Sequence, residues 1–73
     1  MNRIAALGEA VKVEGFALAG ALVLAADGAN EVDAAWNVLP EDVAVLIVTP
    51  SVEHRLASRF GDRPHLLTVV CPE

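Results

Sequence analysis

Few side chains in this sequence of 73 residues could do chemistry, and their spacing decides which chemistry. Ser51 and His54 stand three apart in a segment that reads as helix, so they face one side, as a nucleophile and its base would. A hydrolase also needs an acid to orient the histidine and donors for an oxyanion, and none accompanies this pair. Ser51 therefore reads as a helix-start serine and His54 as a surface histidine. His54, His65 and the single cysteine, Cys71, are too few for a structural metal site, which usually takes four ligands at tight spacings. The stretch from Gly8 to Gly15 lacks both the Gly-Lys-Ser/Thr ending of a phosphate loop and the glycine triplet of a dinucleotide site. Two acids sit where an anion would bind. A phosphoacceptor pocket would need clustered acids at the carboxyl ends of the first and third strands. Glu9 and Thr49 come near each other at that edge, but there is no aspartate nucleophile and no lysine on the fourth strand. The sequence assigns no catalytic residue, no cofactor and no metal, and the chain is not expected to be an enzyme.

The charge narrows the partners. The net charge is −5, and the only cations are Arg3, Lys12, Arg55, Arg59 and Arg63. Phosphate backbones need a basic surface, so nucleic acid is not an expected partner. Arg55, Arg59 and Arg63 are spaced four apart. Two readings stay open for this row: cations favoured near a helix C-terminus, or a docking row against an acidic neighbour. Trp36 reads as the large core residue of its helix, with an exposed interface anchor as the alternative.

These residues are positioned by a regular alternation. Arg3 to Leu7 is a short apolar run stopped by Gly8, which suits a strand buried on both faces. Val11 to Ala19 reads as a helix with Val11, Leu18 and Ala19 on one side and Val13 and Phe16 on a neighbouring stripe. Gly20 closes it. Ala21 to Ala26 is the second strand, and Asp27-Gly28 a turn. Asn30 is a candidate N-cap for a helix whose face is Val32, Ala35, Trp36 and Leu39, and Pro40 stops it. Val43 to Val48 is the clearest strand, rich in β-branched residues. Thr49 can cap a third helix with Pro50 at its first position. Val52, Leu56 and Phe60 form its buried side, and Gly61 ends it. Leu66 to Val70 is a last strand, terminated by Pro72.

The order βαβαβαβ predicts a single α/β domain over 1–73. It should hold a four-stranded parallel sheet in the order 2-1-3-4, with helices on both faces, as in flavodoxin- and receiver-like folds. In that topology the first helix covers one face and the other two cover the opposite face. Nothing covers the first face over the third and fourth strands, although Val43 to Val48 is apolar on both sides. A domain this small buries only about 60% of its unfolded surface, and 55% of its residues are hydrophobic. A partner is the expected helper, since a lone cysteine forms no internal disulfide. The lone cysteine also fits a reducing compartment. Glu9, Lys12 and Glu14 interrupt the N-terminal apolar residues as no signal peptide would, and the apolar run from Gly15 to Ala26 is too short to span a bilayer.

Together the residues resemble the F-subunit family of the vacuolar and archaeal-type rotary ATPases. The resemblance rests on the opening strand Arg3-Ile4-Ala5-Ala6-Leu7-Gly8 and on the helix ending Gly15-Phe16-Ala17-Leu18-Ala19-Gly20. It extends to Val43 to Thr49 and to Leu66 to Pro72. It implies a non-catalytic component of the central stalk that binds the coiled-coil rotor shaft among other ATPase components. Such a component couples ATP hydrolysis or synthesis to ion transport. The resemblance implies no cofactor, and a cytoplasmic location peripheral to the membrane through the complex. Family members continue past the fourth strand into a C-terminal tail, whereas this sequence stops at Glu73, either as a short natural variant or as a truncated chain, and the resemblance assigns no regulatory role here. The partner interface is expected at Phe16, Val45, Ile47, Arg55 and Arg59. The alternative is a stand-alone module of the same fold that pairs with itself as a homodimer through its open sheet.

Overall fold

The computed structural model describes residues 3–71, apart from the side chain of Ala19. Pro72 lies outside the described residues, as does the burial expected of Ala19. The strands are β1 (Arg3–Gly8), β2 (Leu22–Ala25), β3 (Val43–Val48) and β4 (Leu67–Val70). The helices are α1 (Ala10–Val13), α2 (Ala29–Asn37) and α3 (Pro50–Leu56), with 3-10 segments at Glu14–Ala19 and Phe60–Asp62. All strand pairings among the described residues are parallel and the order is β2-β1-β3-β4, as the alternation predicts.

Register divides the sheet into two faces. Ala5, Leu7, Leu22, Leu24, Leu46 and Val48 share one face and pack with Val32 and Trp36 from α2, Leu39 just after it, and Val52 and Leu56 from α3. This is the main core. Ile4, Ala6, Val23, Val45, Ile47, Leu67 and Val69 share the other face. There, α1 and the 3-10 segment after it lie over β1 and β2. Val13 and Ala6 are buried on that side.

The first helical element differs most from the expectation. It makes one α-turn and then runs as 3-10 helix for six residues, Glu14–Ala19. Runs of 3-10 beyond three or four residues are uncommon. Two β-branched valines and Gly15 weaken the α-helix here. Tightening from 3.6 to 3 residues per turn also turns the side chains out of the expected stripes. Val11 and Leu18 are exposed, Leu18 almost completely at 96%, while Val13 is buried and Phe16 half-buried. Gly20 ends the segment in the left-handed region at φ 86°, its N–H donating to the Ala17 and Phe16 carbonyls. Gly15 is exposed, and a Cβ there would meet nothing within 4 Å. It therefore does not mediate close helix–sheet packing.

Two caps also move. The N-cap of α2 is Gly28, so Asn30 lies inside the first turn. Thr49 holds the N-cap position of α3 but makes no side-chain cap bond. α3 stops at Leu56, and Phe60 belongs to a separate 3-10 turn, tilted against Trp36 with ring centroids 5.7 Å apart. Among the described residues, no helix is long and apolar enough to cross a membrane.

Candidate functional site

The crossovers leave β1 and β3 in opposite directions, which opens a crevice at the carboxyl ends of these two strands. Open α/β sheets place ligands at such a switch point. In this protein the chain's own side chains close the seam. Gly8 ends β1, and the absence of a Cβ there lets the fully buried Thr49 side chain approach. Thr49 Oγ1 donates to Glu9 Oε1 at 2.9 Å, and Ser51 Oγ donates to the same oxygen at 2.7 Å. Lys12 Nζ stands 3.3 Å from Glu9 Oε2. The Thr49 hydroxyl is spent on this latch, which is why it does not cap α3. Ser51 is thus bonded to a carboxylate rather than to His54, so the two do not act as nucleophile and base.

The hydroxyl of Ser51, then that of Thr49, hold the Glu9 carboxyl far below its ordinary range, at about 2. A carboxylate that weakly basic is poorly matched to proton transfer near neutrality. Beside the latch is a cleft of about 260 Å³, walled by Glu9, Asp27, Gly28, Val32, Ser51 and Arg55. Two carboxylates line it, and its arginine is committed to Asp33, so the cleft offers little to an anion.

The latch makes a pH-dependent contribution to folding. Glu9 has a lower pKa folded than unfolded. Its stabilisation is therefore full above about 4.5 and is lost as pH falls toward about 2. Part of the carboxylate faces water, so we expect a contribution of order 1–2 kcal/mol. Urea unfolding of the wild type and Glu9→Gln at pH 7 and near pH 2.5 checks this. The gap between them should shrink toward zero at the acidic end, and a constant gap would refute it.

The arginine row joins α3 and the turn after it to α2. Arg55 Nε and Nη2 donate to the Asp33 carboxylate at 3.2 and 2.6 Å. Arg59 Nη2 donates to Asn37 Oδ1 at 2.8 Å. Arg63 donates to the Trp36 and Leu39 carbonyls at 3.0 and 3.1 Å, and its guanidinium lies 4.9 Å from the Trp36 ring centroid. One of these carbonyls belongs to the last turn of α2 and the other to the loop just after it, so the guanidinium ties down the end of the helix. The row is thus an internal clamp. Arg55 and Arg59 lie on the side opposite Val45 and Ile47, so the residues expected to meet a partner do not form one surface. Trp36 is buried, as its helical spacing implied.

What Val45 and Ile47 do form is an apolar strip with their register neighbours. Val45 pairs with Ile4 and Leu67, and Ile47 with Ala6 and Val69. Among the described residues, the helical elements on this side pack chiefly on β1 and β2, and Val45 and Ile47 are half-buried. Ile4 is 48% exposed, Leu67 60% and Val69 44%. Phe16 stands in the segment covering the neighbouring half of the same face. Ile4, Leu67 and Val69 escape a sequence reading because only the register aligns them with Val45 and Ile47. Among the described residues, no group of three or more His, Cys, Asp or Glu is placed to hold a metal ion. No known family model, curated protein or solved structure matches the chain.

Proposed function

We propose that this chain is a non-catalytic component of the central stalk of a vacuolar or archaeal-type rotary ATPase. It binds the coiled-coil shaft and turns with it, coupling ATP hydrolysis or synthesis to ion transport. Its place is cytoplasmic, at the membrane only through the complex. The observation that carries this reading is the apolar strip in which exposed Ile4, Leu67 and Val69 flank half-buried Val45 and Ile47, on a sheet whose other face is packed by α2 and α3. Contiguous exposed apolar surface on a small domain marks a protein-interaction site. The resemblance of the opening strand and the Gly15–Gly20 hexapeptide to the stalk family names the assembly.

Co-expression with a coiled-coil shaft protein of such an ATPase tests it. The wild type should co-elute with the shaft. Leu67→Asp places a charge in the strip at an exposed position, so it should keep the fold and weaken the complex by about 2 kcal/mol or more, the scale of an interface hot spot. A homodimer with no shaft complex, or a shaft complex indifferent to Leu67→Asp, would refute the reading.

A further inference from the structure

We propose that the cleft at the C-terminal end of α2 binds a small zwitterion of the α-amino acid class, its carboxylate toward Arg59 and Arg63 and its ammonium toward Glu41 and Asp62. The cleft has a volume of about 340 Å³. Ligand pockets run from about 300 to 1,000 Å³, so the occupant is small. Trp36 forms part of the wall, and every other lining residue is polar or charged, Asn37 and His65 among them. An apolar molecule would strip water from these groups without replacing their hydrogen bonds. The ligand must itself be polar.

Charge decides its kind. Among the described residues, neither Arg59 nor Arg63 has a carboxylate within ion-pairing distance, and neither Glu41 nor Asp62 has a cation. Two charges of each sign thus line one cleft without pairing across it. The arginines are tethered elsewhere. Arg63 donates to the Trp36 and Leu39 carbonyls and lies over the Trp36 ring, while Arg59 Nη2 donates to Asn37 Oδ1. A guanidinium has five N–H donors, so both keep donors beyond these bonds. Both are also half-buried. Groups already held in place lose little further freedom when a ligand arrives. A simple anion would meet two carboxylates here, and a simple cation two guanidiniums. A molecule with both signs a few bonds apart answers both pairs, and the α-amino acid is the simplest such arrangement.

The cleft is walled by α2 and the turn after α3, on the side of the sheet away from the apolar strip, so the inference does not rest on the stalk reading. Three small molecules serve as probes of the full chain: L-serine, 3-hydroxypropionate, which lacks its ammonium, and ethanolamine, which lacks its carboxylate. Binding is followed by amide chemical shifts at neutral pH. Serine should bind at least about tenfold more tightly than either single-charge analogue, the scale of one charge-assisted hydrogen bond. Its shifts should centre on Asn37, Glu41, Asp62 and Arg63. Arg59→Gln should weaken serine binding about fivefold or more. Glu41→Gln with Asp62→Asn should weaken serine and strengthen 3-hydroxypropionate. Both acids are exposed, so this double variant keeps the fold, which its unchanged shifts elsewhere would verify. Equal affinities for the three probes, no binding of serine, shifts centred away from the cleft, or a serine preference that survives the loss of both acids would each overturn the inference.

Discussion

Trp36→Ala is expected to leave the chain barely folded. Trp36 is 2% exposed and sits in the main core, with Phe60 against one side of its ring and the Arg63 guanidinium over it. Truncating a buried tryptophan costs about 3–5 kcal/mol. A domain of this length has a total stability of only about 4–11 kcal/mol. Arg63 would also lose its stacking partner while still holding the backbone carbonyls of residues 36 and 39. Far-UV circular dichroism in urea measures the loss, because the variant has no tryptophan left to report by fluorescence. Trp36→Phe keeps an aromatic ring and should cost less than half as much. A loss below about 1 kcal/mol for Trp36→Ala would mean that the core is not built as described.

Gly8→Ala is the second large effect, from the smallest possible change. An alanine Cβ at this position would overlap Thr49 Cγ2 and stand 2.8 Å from Oγ1 and 3.1 Å from Cβ. Thr49 is short, β-branched and fully buried, so it cannot swing aside. Either the β1–β3 seam parts or Thr49 gives up its bond to Glu9. We expect a loss of about 2–3 kcal/mol. Thr49→Ala in the same chain removes the two closest atoms, so the double variant should be more stable than the two single losses added together. Thermal unfolding of the four chains of this cycle gives the answer. Gly15→Ala is the control: open space surrounds that glycine, so its stability should hold within about 0.5 kcal/mol. Equal losses at Gly8 and Gly15 would contradict the packing.

The contrast between these two glycines shows how far the sequence could be read. Strand order followed from alternation alone, because four apolar runs separated by helical stretches leave few parallel topologies open. The open half of one face followed from that order. Glu9 and Thr49 were placed at one edge by the same reasoning, and they meet there. Which glycine mattered was not legible. Gly15 sits in the more conspicuous pattern, but close approach depends on what stands opposite, and Thr49 is 41 residues away from Gly8 in the chain. The long 3-10 run was hidden as well, since the stretch contains no proline and periodicity does not separate 3.6 from 3 residues per turn over so few positions. The arginine spacing correctly implied a shared surface for Arg55 and Arg59, yet their partners Asp33 and Asn37 lie on another helix and could be found only by docking the two.

The strand order also bears on how the chain is made. β1 is synthesised before the other three strands, but it lies inside the sheet, between β2 and β3. By the time β2 has left the ribosome, only one edge of β1 has a partner. The other edge waits for Val43–Val48, and β3 in turn waits for Leu67–Val70. The emerging polypeptide thus carries an unsatisfied, strongly apolar strand edge through much of its translation. Such an edge is prone to pair with the wrong neighbour. Delayed closure of the central seam makes the interval before Val48 emerges the time when this small protein most depends on protection by the ribosome or a chaperone.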